Sequence, residues 1–402
     1  MKLRVLLLST ILLNLSLIQI HGYSQDVKWK GTIEEEDGTK IIKNPNEPLY
    51  GEITFDLEED LTIGNEEDEN YMFHKGIWLE VDSGGNIFVL DRGNCRIQKY
   101  DEEGKYLQTI GRKGQGPGEF ESPDVFCLDS KDNLYVQDGR HIDIFNKEGK
   151  FKRSYVSFDF FYPFFGITGE RNILAKINST KNLIKGTEEI ILVSSEGEKI
   201  KTIASFPYEK PSPLQKGKFK LYIGDPYGAG LLFCFINEGM AVYGYSSEYR
   251  LFVINSSGEI SRIIEKDQPG ELFTRKDKNK IIDKWVEIEN RRKSGPKYSR
   301  GKIKEVIRFP KYKSFYSLLL KDDKNRIYIR EYRPILFDNE ESASFDLFNG
   351  EGYYLYKAII PLHPRFIKNG YLYRVERDEE TDYRRIKRYK IKNWNQIKTG
   401  IN

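Results

Sequence analysis

A stretch of this chain repeats itself at an offset of 47 residues, and that repeat constrains the fold more than any other feature. Residues 76–123 hold four short apolar or alternating runs, separated by turns rich in Gly, Asn and Asp. The pattern predicts one four-stranded antiparallel sheet. The first turn and second strand at 82–91 recur at 129–138, and the third strand at 96–100 recurs from His141 onward.

A single sheet of this size cannot bury both faces, so it needs neighbours of the same kind. Repeats of about 40 to 50 residues with four strands each are typical of propeller blades. We therefore predict an all-β, six-bladed β-propeller of four-stranded antiparallel blades. Six blades fit the 402-residue chain because seven would leave too little sequence for its other segments, and five would leave too much.

The repeated stretch resembles the NHL repeat family and the bacterial six-bladed propellers related to it. The resemblance covers residues 60–156. The residues that carry it are Gly114, Gln115, Gly116, Pro117, Gly118, Glu119, Phe120, Pro123, Asp129, Asn133, Leu134, Tyr135, Val136, Asp138, Asp91, Asn94, Arg96 and Ile97. Later blades are identified only by their turns, at 168–172, 237–239, 322–325 and 368–370.

The two ends of the chain complement each other. The Thr-Ile-Gly at 62–64 matches the end of a fourth strand at 109–111, again 47 residues apart, so a lone fourth strand precedes the first blade. Residues 385–389 repeat a third strand that no clear fourth strand follows. We expect the N-terminal strand to complete the last blade and remove an open sheet edge.

The N-terminus reads as a signal peptide over residues 1–24, followed by an arm at 25–48 and the propeller at 49–402. Lys2 and Arg4 precede an apolar stretch at 5–20, and small residues follow. An N-terminal membrane anchor is the alternative. The absence of a nearby cysteine disfavours a lipoprotein, and no later segment is long enough to span a membrane. We expect a secreted or periplasmic monomer without a membrane span.

Two insertions interrupt the blades, at 207–230 and 266–311. The second, between blades 4 and 5, has apolar residues at helical spacing within 277–293, which predicts an amphipathic helix lying on the propeller. It is either a packed lid or part of a binding surface. The surrounding residues, 270–313, are basic. The candidate partners for this positively charged segment are an anionic surface and the acidic N-terminal part of the chain. Nucleic acid is not expected as a partner of a secreted chain.

The connections from strand two to strand three, and from strand four to the next blade, emerge at one end of a propeller. Both insertions are of the second kind, so both should lie on one face, which we call the insertion face. Functional loops concentrate where a rigid scaffold presents them. The candidate binding residues on this face are Arg92, Arg112, Lys113, Glu121, Arg140, His141, Arg333 and His363. A structural role is favoured for Arg92, because it resembles the turn residues of NHL repeats.

No cofactor or metal is predicted. The glycine-rich 111–118 stretch lacks a following helix, and Pro117 removes an amide that a phosphate loop needs. Relatives of NHL propellers include a lyase that holds zinc with three channel histidines, but His74, His141 and His363 fall at unlike blade positions. Cys95, Cys127 and Cys234 lack metal-ligand spacing. They are either buried thiols or, for Cys95 and Cys127, an inter-blade bridge.

These observations favour a non-catalytic, extracytoplasmic binding or scaffold module for a protein, peptide or glycan. The alternative is a metal-dependent propeller enzyme, a lyase or a lactonase, with its site at the channel mouth.

Overall fold

The chain forms six antiparallel sheets arranged as blades around a central channel. The computed structural model describes residues 28–73, 76–156, 164–180, 185–209, 214–216, 219–221, 228–291, 297–332, 342–378, 381 and 383–401. Four strands precede the first complete blade: β1 (Thr32–Glu36), β2 (Thr39–Asn44), β3 (Glu52–Thr54) and β4 (Leu57–Ile63). The six-bladed, all-β architecture confirms the fold predicted from the repeat.

The first three blades are consecutive in the chain. Blade 1 contains β5 (Ile77–Val81), β6 (Ile87–Asp91), β7 (Arg96–Tyr100) and β8 (Tyr106–Ile110). Blade 2 contains β9 (Pro123–Leu128), β10 (Leu134–Asp138), β11 (His141–Phe145) and β12 (Phe151–Val156). Blade 3 contains β13 (Phe164–Ile167), β14 (Ile173–Thr180), β15 (Lys185–Val193) and β16 (Lys199–Glu209).

The other three blades follow a short hairpin of β17 (Leu214–Lys216) and β18 (Phe219–Leu221). Blade 4 contains β19 (Leu231–Asn237), β20 (Met240–Tyr245), β21 (Arg250–Asn255) and β22 (Ile260–Lys266). Blade 5 contains β23 (Tyr316–Lys321), β24 (Ile327–Glu331), β25 (Ala343–Phe348) and β26 (Tyr354–Ile360). Blade 6 contains β27 (Phe366–Lys368), β28 (Tyr371–Arg377), β29 (Arg384–Ile391) and the N-terminal strand β4.

The sequence repeat originates in a turn that an aspartate holds together. In blade 1 the Asp82 carboxylate accepts hydrogen bonds from the backbone N–H groups of Gly84 and Asn86, at 2.9 and 2.8 Å. Asp129 in blade 2 and Asp322 in blade 5 accept the equivalent pairs of bonds. An Asp side chain that satisfies turn amides in this way favours a tight connection between strands one and two.

Ring closure occurs as the sequence predicts. Strand β4 pairs antiparallel with β29, with Ile63 opposite Ile386 and Leu61 opposite Arg388. The first and last parts of the chain therefore share one sheet, and blade 6 has no missing strand.

The described part of the predicted arm, together with the residues that follow it, adds strands to two further blades. Strand β2 pairs parallel with β22 at the outer edge of blade 4, and β1 pairs with β2. Strand β3 pairs parallel with β26 at the outer edge of blade 5. Residues 32–63 thus pass along the rims of blades 4, 5 and 6 in turn. We call this segment the N-terminal belt.

Asn44 fastens the belt to two blades at once. Its side chain is 2 % exposed and donates hydrogen bonds to the backbone oxygens of Glu265 in blade 4 and Gly352 beside blade 5, at 3.1 and 2.9 Å. Its amide oxygen accepts from the Tyr354 N–H at 2.8 Å and from the Trp29 indole at 3.1 Å. Every polar atom of this buried amide is satisfied, as a buried polar group requires.

The second insertion contains two helices, α1 (Arg275–Arg291) and α2 (Arg300–Val306). Helix α1 lies where the apolar spacing predicts it, between blades 4 and 5, and buries Ile281 and Ile282. Helix α2 has no counterpart in the prediction. Neither helix in the described residues combines the length and the hydropathy that crossing a bilayer requires.

Two isoleucines in the same belt hairpin give a matched test of how firmly the belt packs. Ile42 on β2 is 0 % exposed, whereas Ile33 on β1 is 48 % exposed. We expect Ile42→Ala to lower the free energy of unfolding by about 2–5 kcal/mol, because it leaves a cavity against blades 4 and 5. Ile33→Ala should change it by less than about 0.5 kcal/mol. Urea unfolding followed by circular dichroism measures both, and equal midpoints for the two variants would show that the belt is not packed as described.

Candidate functional site

The two insertions meet on one face of the ring. Helix α2 lies beside strand β17, so the insertion after blade 3 contacts the insertion after blade 4. Ile281 and Phe273 pack against Tyr332, which begins the loop between strands two and three of blade 5. Connectors and strand-two-to-three loops therefore share this face, as the sequence predicts for the insertion face.

A small apolar core fixes the helices to each other. Ile282, Tyr298, Ile303 and Ile307 are buried together, with Trp285 packed against them. The Arg300 guanidinium adds an ion pair to Asp283 at 2.7 Å. The helical insertion is thus an ordered part of the face with its own packing.

The charges of the basic segment are partly paired within it. Lys313 pairs with Glu271 and with Asp277, at 3.4 Å for the second. The acidic N-terminal residues are engaged elsewhere: Glu34 pairs with Lys43, and Glu36 with Arg250. The idea that the acidic N-terminal part and the 270–313 segment bind each other is therefore wrong for these two glutamates.

Three predicted binding residues in blades 1 and 2 have local structural partners. Arg92 forms an ion pair with Asp124 at the start of blade 2. Arg112 pairs with Glu119 at 2.7 Å within the connector, and the hydrogen bond from the Gly116 N–H, followed by that from Arg112, lowers the pKa of the Glu119 carboxyl. Glu121 accepts a hydrogen bond from the Gln115 amide at 3.1 Å. These contacts position the connector between the two blades.

The remaining candidates lie in four separate places. Lys113 lies in the same connector, whose backbone forms a bridge to Phe120. Arg140 and His141 are exposed in the strand-two-to-three turn of blade 2. Arg333 lies outside the described residues, as does His74, one of the three histidines considered for a zinc site.

His363 lies in the connector between blades 5 and 6. It lines a cavity of about 250 Å³ with Arg330 and Arg374. Arg330 is 8 % exposed and Arg374 pairs with Glu376 at 3.4 Å. The structure brings His363 next to arginines of neighbouring strands, but places it in a different part of the face from the blade 1 and 2 candidates.

A second cavity, of about 340 Å³, occupies the central channel. It falls in the size range of small-molecule sites. The innermost strands of all six blades line it, and the two sides differ in chemistry. Blades 2, 3 and 4 contribute an apolar wall that contains Phe126, Phe165, Leu231, Leu232, Phe233 and Phe235.

Phe235 reaches across from blade 4 onto blade 3. A Cβ atom at Gly166 would lie 2.2 Å from the Phe235 ring, so only glycine leaves room for the ring at this position. The apolar wall is therefore continuous between the inner strands of these two blades.

Blades 5 and 6 contribute a cationic wall, which we define as Lys321, Arg365 and Lys368. Lys321 donates to the backbone oxygen of Ile236 at 2.7 Å, and Lys368 to that of Val81, so each lysine also ties its blade to a neighbour. The Arg365 guanidinium lies 4.2 Å from the centre of the Trp78 ring of blade 1, a cation–π geometry.

Glu80 of blade 1 faces this cationic wall. Burial raises the pKa of the Glu80 carboxyl, and attraction to Lys321, Lys368 and Arg365 opposes that rise. Among the described ion pairs, none joins Glu80 directly to these three cations. Burial also lowers the pKa of Lys368, against the attraction of Glu80.

The sequence holds a signal for this cluster that lies outside the repeat pattern. Glu80 interrupts the otherwise apolar inner strand Ile77–Val81, and Lys321 and Lys368 both end inner strands. A charge on the innermost strand of a blade points to the channel environment. Its partners, however, lie more than two hundred positions away, so only the closed ring brings them together.

Metal ligands do not cluster in the residues that the structure describes: no group of three or more His, Cys, Asp or Glu side chains is placed to hold an ion. The cysteines are all free thiols, and Cys95 is buried. A Cys95–Cys127 bridge is therefore wrong, and the alternative of small buried or half-buried thiols is confirmed.

Thiol reactivity tests this assignment. Burial raises the pKa of Cys234 to about 12 and raises the pKa values of Cys95 and Cys127 as well. Because the thiolate is the reactive form, we expect all three cysteines to be alkylated slowly by iodoacetamide at pH 8 in the folded protein, and rapidly in urea. Mass spectrometry counts the adducts. A single adduct in urea without reductant would indicate a disulfide instead.

The fold has known counterparts. Residues 79–227 match the model of the DUF5128 family, described as a 6-bladed beta-propeller. No curated protein matches the chain at significant similarity. A Bacteroides fragilis protein described as exported has a similar structure, with 14 % identity and a TM-score of 0.50, over 88 % of this chain and 99 % of that protein.

Two further solved structures are similar over most of the chain. A DUF4221 family member from Bacteroides vulgatus has 13 % identity and a TM-score of 0.46, over 84 % of this chain and 98 % of its own. Virginiamycin B lyase from Staphylococcus aureus has 10 % identity and a TM-score of 0.38, over 84 % and 99 %. The chain is a six-bladed β-propeller, and part of it matches a family described by that same fold.

Proposed function

We propose that this protein is an NHL-like, non-catalytic binding or scaffold module that acts outside the cytoplasm. Its ligand, a protein, peptide or glycan, engages the insertion face. The observation that carries this proposal is the contact between the two insertions, which builds one ordered rim beside the channel from two successive connectors.

A rigid ring with an elaborated face is suited to recognition. Connectors that only join blades can be short, as the five residues between Ile360 and Phe366 show. The insertions are much longer and carry their own packed core. Loops that a scaffold holds in place lose little conformational freedom on binding, which favours affinity.

An exposed apolar edge lies at the base of the helical insertion. Leu272 and Tyr312 face each other across an isolated backbone bridge and are 52 % and 46 % exposed. The Lys311 ammonium lies 5.0 Å from the centre of the Tyr312 ring. We call this pair the Leu272–Tyr312 edge. A tyrosine ring beside a cation can stack on a sugar or pack on a side chain, and tyrosine is common among the residues that dominate binding energy.

The extracytoplasmic location is supported by the composition of residues 1–24, a basic start followed by an apolar stretch. The structural similarity to a protein described as exported agrees with it.

Glycan and peptide arrays probed with the labelled mature protein test the proposal. We expect Leu272→Ala combined with Tyr312→Ala to weaken the strongest array signal by at least about tenfold, because two contact side chains are lost. Ile200→Ala is the matched control, since Ile200 is 51 % exposed on blade 3, away from the helical insertion.

Two results would contradict this function. Equal binding by the double variant and the control would exclude the Leu272–Tyr312 edge from the site. Stoichiometric zinc or calcium in the purified protein, lost in His141→Ala, would instead support the metal-dependent lyase or lactonase.

A further inference from the structure

The channel contains three cations that none of the described ion pairs engages. The cationic wall has three charged side chains, and Glu80 opposes them without a direct ion pair to any of the three among the described residues. The two aspartates at the same end are engaged by other groups. Asp322 accepts from the buried Arg326 guanidinium at 2.6 Å, and Asp323 accepts from the Asn369 N–H at 2.6 Å.

The lysines of the cationic wall keep hydrogen-bonding capacity. An ammonium group has three N–H donors. The described hydrogen bonds of Lys321 and Lys368 engage one donor each, on the backbone oxygens of Ile236 and Val81. The remaining donors can therefore serve a group in the channel. Lys176, which lines the other side, differs because Glu188 pairs with it at 2.9 Å.

The apolar wall restricts what such a group can be attached to. Leu232 and Phe235 of blade 4 are only half-buried, and Phe235 packs on Gly166 of blade 3. A simple hydrated anion would leave this surface unused, whereas an apolar body would bury it at about 25 cal/mol per Å².

We propose that the channel is a binding site for a small organic acid, in which a carboxylate is held by Lys321, Arg365 and Lys368 and an apolar or aromatic body packs against the phenylalanines of blades 2, 3 and 4. This site is separate from the rim of the insertion face, and it does not depend on the function proposed there. The volume of about 340 Å³ suits a ligand with one ring and a short acidic chain.

Glu80 gives this site a dependence on pH. When Glu80 is ionised it repels an incoming carboxylate, and when it is protonated the repulsion disappears. Burial raises the pKa of the Glu80 carboxyl, and repulsion by a bound anion raises it further. The affinity of the channel for the organic acid therefore increases as the pH falls through that pKa. The charged or titratable groups that face Glu80 from the surrounding strands are Lys321, Arg365, Lys368, Cys127 and Cys234. The two thiols stay neutral over this range, because burial raises their pKa values.

Isothermal titration with 3-phenylpropionate tests the site, with 3-phenylpropanamide as the neutral probe of the same shape. We expect the acid to bind at least about tenfold more tightly than the amide, because only the acid gains from the cationic wall. Inorganic phosphate, which lacks an apolar body, should bind more weakly than the acid.

Substitutions test whether Lys321 and Lys368 hold the carboxylate. Lys321→Met and Lys368→Met should each weaken binding of 3-phenylpropionate by about tenfold, and the corresponding Lys→Arg variants should retain most of it. Lys131→Met is the matched control, because Lys131 is exposed in the turn between β9 and β10. Lys321 is also exposed, so its variant should fold, and thermal melting verifies this for every variant.

Glu80→Gln should bind the acid equally well at about pH 5.5 and pH 8, whereas the unchanged protein should bind it more tightly at the lower pH. The proposal is overturned if the acid and the amide bind alike, if neither binds at millimolar concentration, or if the folded lysine variants match Lys131→Met. Such results leave array binding at the insertion face unaffected, so failure here is distinct from failure of the proposed function.

Discussion

The pairing of β4 with β29 is the interaction on which the rest of the structure depends. It joins residues 57–63 to 384–391 in one sheet, and side chains reinforce the backbone ladder. Arg388 pairs with Asp60 at 2.9 Å, and Lys387 with Glu59 at 2.9 Å. The channel has a continuous lining only while this sheet is complete, because the walls contributed by blades 5 and 6 face blade 1 across the junction. An open ring would separate Glu80 from Lys368 and Trp78 from Arg365.

The N-terminal belt extends this closure over half of the circumference. A propeller blade presents its outermost strand to solvent, and a free strand edge invites pairing with another chain. Strands β2 and β3 cover the edges of blades 4 and 5, and β4 covers that of blade 6. Asn44 makes the first of these attachments specific, since a shift of the belt by one residue would leave its buried amide without partners.

The sequence predicts the parts of the fold that local rules govern. The Asp82 and Asp129 turns repeat because the same hydrogen bonds recur, and the spacing of Ile281 and Ile282 follows from helical geometry. The parallel addition of β2 and β3 leaves no such pattern, because an edge strand can pair with any exposed neighbour. The channel site cannot be predicted from the sequence for a related reason. Arg92 and Arg112 stand out in the sequence yet are paired locally, whereas Glu80 meets its cations only through ring closure.

The N-terminal belt also determines the order in which the strand pairs of the ring can form. Its strands are synthesised early, yet the strands they pair with, β22, β26 and β29, are synthesised more than two hundred residues later. The partners of β2 and β3 are complete at residues 266 and 360, but β4 has no partner until residue 391 has emerged, and the ring stays open until then. Contacts between residues so distant in sequence form slowly, because the entropy of closing a long loop is lost before the contacts provide any stabilising energy. A chain built this way completes its ring only after residue 391 has been synthesised, and until then its unpaired strand edges can pair with other chains.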